Sequence, residues 1–169
     1  PTLLKHLRQL APRASVNAVS LPAADVANGL GAGTVDLAMG YFPDLKKNNY
    51  FQQALFMDGF ASLVRAGHPI AGARLTLTQF LQLEHAVVRA ESRTEEVIEK
   101  FLARRKIQRR VVLTTPHFAS APIIVAQSDL IVTVPEPLAR YFTRGSRDLR
   151  IVALPVRLPR IVLKEFSDR

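Results

Sequence analysis

Along residues 113–142, LTTPHFASAPIIVAQSDLIVTVPEPLARYF, short β-branched runs alternate with longer apolar runs. Residues 111–115 and 130–134 carry the compact, buried pattern of strands. Residues 119–127 and 137–142 carry the spacing of helices. Strand, helix and strand in that order predict a βαβ unit with parallel strands. Parallel strands present ligands at their carboxyl ends, which makes the turn Thr115-Pro116-His117-Phe118 the first place to look for chemistry.

The rest of the chain follows the same logic. Leu3, Leu4, Leu7 and Leu10 form one apolar stripe on a helix over residues 2–10, stopped by Pro12. A strand is expected over 14–21 and a helix over 23–30 that ends among glycines. A strand over 35–39 then delivers Gly40, Tyr41 and Phe42 to its carboxyl end, ahead of a polar loop at 46–49. Residues 50–57 and 60–65 are extended runs separated by Asp58-Gly59. Breaks at Gly67-His68-Pro69 and Gly72 put a boundary near 66–74. A short helix is expected over 76–83 and a strand over 85–89. Ser92 and Thr94 offer caps, and Glu95 and Glu96 suit the first turn, of a helix that buries Val97, Ile98, Phe101 and Leu102. A strand over 149–154 and an extended run over 158–166 return the chain to its beginning. The expected architecture is α/β, two lobes joined by crossing strands, with lobe I at 1–66 and 150–169 and lobe II at 67–149.

Composition changes this picture little. The chain of 169 residues is 48% hydrophobic and 22% charged, which suits a globular core. It has no cysteine, so disulfides and thiolate metal sites are excluded. Apolar runs fall far short of the roughly 18 residues a membrane span needs, and no signal segment opens the sequence. Pro1 already lies in what reads as the first turn of a helix, so an upstream part is expected. Charge is more suggestive: 23 Lys+Arg against 14 Asp+Glu give +9. The densest cluster, Lys100, Arg104, Arg105, Lys106, Arg109 and Arg110, falls at a helix end, where solvated cations complement the dipole. Direct nucleic-acid binding by this segment is therefore the weaker reading.

Three motifs in order carry a resemblance. GAGTVDLAMGYFP at 31–43, LVRAGHPI at 63–70 and SDLIVTVPEPLA at 128–139 resemble the effector-binding domain of LysR-type transcriptional regulators. GYFPDL and TPHF further resemble the branch that responds to aromatic catabolites. The resemblance implies a type II periplasmic-binding-protein-like fold of two Rossmann-like lobes, with a small, aromatic and anionic effector in the interlobe cleft. It also implies a cytoplasmic homodimer or tetramer, built by packing helix 2–10 beside helix 119–127 of another copy. DNA would be held by a winged helix-turn-helix domain that this chain does not contain. Two departures stand out: the family's first strand, with its ligand-binding hydroxyl, should precede Pro1, and Ser128-Asp129 replaces a customary glycine turn.

Three turns are expected to converge on the cleft. Tyr41, Phe42 and Phe118 would pack on an aromatic ring, while the amides near Ser92, Arg93 and Thr94 meet its carboxylate. Arg93 or His117 would add charge or a hydrogen bond. Plainer readings stand beside these: His117 as an imidazole satisfied by a carbonyl, Phe42 and Phe118 as core, Ser92 as a cap and Arg93 as solvated. His6, His68, His85 and His117 show no metal-ligating spacing, so no metal and no cofactor are expected. No nucleophile with an assignable base appears, which argues against an enzyme. The rival with the same fold is a periplasmic solute-binding protein of a transporter.

Overall fold

The computed structural model describes residues 2–45, 50–70, 72–90 and 93–168. Its elements are α1 (Thr2–Leu10), α2 (Ala23–Gly31), β1 (Ala38–Gly40), β2 (Tyr50–Asp58), β3 (Phe60–Arg65), α3 (Leu77–Gln82), β4 (Glu84–Val88), α4 (Thr94–Arg104), β5 (Arg110–Thr115), α5 (Ser120–Ala126), β6 (Ile131–Pro135), α6 (Glu136–Thr143), β7 (Leu149–Val152) and β8 (Ile161–Asp168). The strands form two sheets. One has three strands in the order β1-β8-β2, and the other has five in the order β5-β4-β6-β3-β7.

In the five-stranded sheet β4 runs parallel to both β5 and β6, while β3 is antiparallel to β6 and β7. Both faces are covered. Leu63 and Val134 pack with Ala121 and Val125 of α5 and Ala139 of α6, whereas Val64 and Ile131 pack on the opposite side with Leu75 and Phe80. Such double coverage is why these strands read as continuous apolar runs rather than as alternation. α3 is closed by a capping box, in which Thr76 Oγ1 accepts from the Gln79 amide at 3.2 Å and the Thr76 amide donates to Gln79 Oε1 at 2.8 Å.

The three-stranded sheet is covered less completely. Val26 and Leu30 of α2 pack on Ala38 and Phe166, and Tyr50 Oη donates to the Ala27 carbonyl at 3.2 Å. Met39, Phe51 and Met57 of the same strands remain exposed.

Three expectations need correction. Residues 14–21 form no strand: no neighbouring strand among the described residues supplies ladder bonds, and Val16 and Val19 stay exposed. The lobe division at 1–66 with 150–169 and at 67–149 does not follow the sheets. Both Phe60–Arg65 and Leu149–Val152 hydrogen-bond within the five-stranded sheet, so the chain crosses at Gly59 and again between β7 and β8. Finally, the N-cap position of α4 is Arg93, which makes no side-chain cap bond, and Thr94 is the first residue of the helix itself; Ser92 lies outside the described residues.

The break at Gly67-His68-Pro69 is held by its histidine. His68 is buried; its Nδ1 accepts from the Ile70 amide at 3.1 Å, which leaves Nε2–H to donate to the Asp129 carbonyl at 3.0 Å. At the same place Ser128 Oγ donates to the Ile124 carbonyl at 2.9 Å and accepts from the Leu130 amide, so a hydroxyl caps the turn where the family customarily has glycine. No helix among the described residues is long and apolar enough to cross a membrane.

Candidate functional site

The strand order places the site. From β4 the chain passes through α4 to β5 on one side. From β6 it passes through α6 to β7 on the other. Connections that leave neighbouring parallel strands in opposite directions open a crevice at the strands' carboxyl ends, and Arg93 stands at the end of β4.

Facing it is the turn after β1. Gly40 has no side chain because a Cβ there would lie 2.8 Å from the Phe42 ring. The Phe42 ring thus folds back over the strand end and meets Phe166 edge to face, with centroids 5.8 Å apart. Asp44, on the same turn, pairs with Arg93. Arg93 also grips Glu96, its Nε donating to Oε1 at 3.1 Å and its Nη2 to Oε2 at 2.8 Å. This fork raises the Arg93 pKa above its ordinary value. It pushes Glu96 down to about 2, with Lys100 assisting. A cavity of about 460 Å³ lies here, walled by Ala23, Ala24, Ala27, Phe42 and Leu45 and closed by Asp44, Arg93 and Glu96. Its volume suits a small organic molecule.

A second cavity, about 490 Å³, lies on the other side of Phe42 and Leu45, over the three-stranded sheet. Tyr41, Pro43, Gln52, Arg160, Val162 and Lys164 complete its wall. Lys164 Nζ donates to Gln52 Oε1 at 2.9 Å, and the buried Gln52 Nε2 has no acceptor among the described residues.

Behind Arg93, the inner face of α4 is tied down. Arg109, expected among solvated cations, is buried: its Nη2 donates to Glu95 Oε1 at 2.8 Å and to Glu99. Burial is the largest influence on Glu95 and pushes it up to about 7 against the pull of Arg109. Glu99 contributes in the same upward direction, and its own pKa is lowered. His85 lies nearby, fully buried. Its Nε2–H donates to the Phe80 carbonyl at 2.9 Å, Nδ1 has no partner among the described residues, and burial lowers its pKa to about 4, so the ring is neutral.

Of the residues expected in the site, Tyr41, Phe42 and Arg93 line the two cavities. Thr94 is buried at the first position of α4. Ser92 lies outside the described residues. His117 is exposed beyond β5, its amide donating to Thr115 Oγ1 at 3.3 Å, and Phe118 packs against the core of the five-stranded sheet. Neither lines either cavity. Sequence reasoning missed Gln52, Arg160 and Lys164. Their signal was the alternation Arg160-x-Val162-x-Lys164, which puts three side chains on one face of a strand end.

These features have counterparts. Residues 1–163 match the family of the LysR substrate binding domain, and the chain belongs to that family. It is 34% identical over 139 residues to the HTH-type transcriptional activator NagR of a Ralstonia species, covering 82% of this chain and 46% of that protein. To the HTH-type transcriptional activator NahR of Pseudomonas putida it is 32% identical over 166 residues, covering 98% of this chain and 55% of that protein. Among solved structures, a probable transcriptional regulator from Pseudomonas aeruginosa superposes with a TM-score of 0.82 at 28% identity, covering 99% of this chain and 55% of that one. The regulatory domain of MexT, a transcriptional activator in the same organism, gives 0.81 at 23%, covering 99% and 82%. The chain spans about half the length of the curated relatives it matches. The fold is thus the type II periplasmic-binding-protein-like fold, and the curated relatives that the chain matches are transcriptional regulators.

Proposed function

We propose that this chain is the ligand-sensing part of a cytoplasmic LysR-type regulator, binding a small aromatic anion where the turn after β1 faces the start of α4. The observation that carries the reading is the Arg93–Asp44 ion pair. It joins a turn of the three-stranded sheet to a helix start of the five-stranded sheet, over an apolar cavity. Arg93 is already neutralised by Asp44 and Glu96, so an incoming carboxylate gains it by exchange with Asp44. The N-terminus of α4 favours the same anion. Exchange loosens one contact between the lobes and makes another, which is the differential interaction a ligand needs in order to shift a conformational equilibrium. Phe42 supplies the ring wall from lobe I, and Tyr41, which lines the adjoining cavity on the other side of Phe42, extends it. Thr94, His117 and Phe118 supply the lobe II side when the lobes close. We place the lobe division at the two sheet crossings.

Assembly and DNA binding belong to the same proposal. Leu3, Leu4 and Leu10 on α1 and Ile123 and Ile124 on α5 are exposed, which suits the antiparallel packing of α1 beside α5 of a second copy. The resulting homodimer or tetramer would carry DNA on a winged helix-turn-helix domain outside this chain.

Thermal denaturation against aromatic carboxylates, aliphatic acids, amino acids and sugars tests the reading. A ligand at about 100 times its Kd adds about 2.7 kcal/mol to stability. Aromatic carboxylates alone should raise Tm, and Arg93→Gln and His117→Ala should each diminish the rise. Stabilisation by sugars or amino acids instead, or by nothing in the panel, sinks the aromatic-anion assignment.

A further inference from the structure

We propose that the pole of the five-stranded sheet away from the cleft is a docking surface for the phosphate backbone of a DNA duplex. The surface is read from the structure alone. The choice of DNA as its occupant rests on the proposed function, in which the regulator is already held on DNA.

Strand directions assemble this pole. β4 runs parallel to β5 and β6, and β3 is antiparallel to β6 and β7, so the amino ends of β4, β5, β6 and β7 lie together. α4 delivers Arg104, Arg105 and Lys106 there ahead of β5, and α6 delivers Arg144 and Arg147 there ahead of β7. In the order β5-β4-β6-β3-β7 the two groups stand four strand spacings apart, about 19 Å, which matches roughly five to six nucleotide steps.

The structure also sorts the basic run that ends α4. Lys100 pairs with Glu96, Arg109 with Glu95 and Glu99, and Arg110 with Glu84. Arg104, Arg105 and Lys106 are exposed, and among the described residues they pair with no carboxylate, nor do Arg144 and Arg147. Arg105 instead lies over the Phe101 ring at 3.9 Å, which steadies its guanidinium without consuming the N–H donors that fit phosphate oxygens.

Dipole complement does not account for all of these charges. Helix-end cations serve the dipole within the last turn, yet Lys106 lies past the end of α4 and Arg147 past that of α6. Lys106 also holds the left-handed position of a Schellman turn, with φ at 56°. Its amide donates to the Ala103 carbonyl and the Ile107 amide to the Leu102 carbonyl, both at 3.0 Å. Glycine is the residue that position favours, so a lysine there gives up stability and gains a charge. A protein partner fits less well, because no large apolar side chain is exposed at 104–110 or 143–148 to anchor one.

The test follows binding of the complete regulator to a DNA duplex by fluorescence anisotropy over a range of salt concentrations. Each phosphate contact adds about 0.9 to the steepness of log affinity against log salt. Arg104→Gln, Arg105→Gln and Lys106→Gly combined should lower that steepness by about 2 to 3 and weaken binding about tenfold or more at physiological salt. Lys106→Gly alone should lower it by about 0.9 while Tm holds or rises by about 2–4 °C, since glycine relaxes the left-handed backbone. Arg74→Gln removes an exposed cation beside Ala153, past the opposite end of β7, and should leave the steepness unchanged. The proposal falls if the triple variant keeps the wild-type salt dependence, or if Arg74→Gln lowers it as far as Lys106→Gly does. It falls equally if the triple variant loses binding to polyglutamate or to phosphatidylserine vesicles with the DNA salt dependence unmoved, which assigns the surface to an acidic protein or a membrane. A wild-type regulator that binds no duplex overturns the proposed function as well, whereas the other failures overturn this inference alone.

Discussion

Glu95 and Glu96 are adjacent in the chain and opposite in circumstance. One position apart on a helix is a rotation of about 100°, enough to send the first carboxylate inward to Arg109 and the second outward to Arg93. Burial pushes Glu95 up to about 7, whereas the Arg93 fork pulls Glu96 down to about 2. The inner pair fixes where α4 begins, and the outer pair is available for exchange with a ligand. A sensor needs both kinds of contact in one turn: a rigid one to hold the receptor, and a solvated one that a ligand can replace at little cost.

The largest effect should come from cutting the inner clasp. Arg109→Met leaves Glu95 and Glu99 without their cation and should cost about 3–5 kcal/mol of unfolding free energy in urea at pH 8. The loss should shrink toward pH 5, where the carboxyls take up protons. A loss as small as that of a surface pair would show that the clasp is solvent-screened.

Next comes the pH profile, in which the two glutamates should act in opposite directions. The folded pKa of Glu95 lies above its ordinary value, so between about 4.5 and 7 the native state binds more protons than the unfolded state. Its contribution is fully present below about 4.5 and is lost as pH rises through about 7. The folded pKa of Glu96 lies below its ordinary value, so its contribution is present above about 4.5 and is lost as pH falls toward about 2. Glu95→Gln should therefore flatten the neutral limb of a stability-against-pH curve, and Glu96→Gln the acid limb. If each substitution alters the other limb, the assignment of the two environments is reversed.

The smallest expected change in stability is at the exposed contact. Asp44→Asn should alter unfolding free energy by no more than about 1 kcal/mol, as surface pairs do. It should nonetheless tighten binding of an aromatic carboxylate, because the exchange no longer has a competitor. Unchanged or weakened binding in that variant would remove Asp44 from the mechanism.

Much of the fold was legible from pattern. The buried runs around Leu63, Val87 and Val132 and the helical spacing of Ile98 and Leu102 are local consequences of burial, and the strands and helix formed there. The turn bearing Tyr41 and Phe42 was legible because a strand end followed by glycine and aromatics announces a break. Residues 14–21 misled because a strand pattern fixes only a preference, and among the described residues no neighbouring strand bonds the segment into a ladder. Arg109 misled for a related reason. A cation at a helix end looks solvated in sequence, and its burial depends on Glu95, fourteen residues earlier, lying across from it.

The sequence by itself determined where strands and helices alternate, where they break and which faces are apolar, because those follow from periodicity and from backbone chemistry within a few residues. Only the tertiary structure decided which turns meet. Arg93 finds Asp44, and Gln52 finds Lys164, because strands distant in the chain share a sheet and the crossover order brings β1's turn opposite β4's end. Burial and charge pairing are properties of neighbours in space, and periodicity along the chain does not encode them.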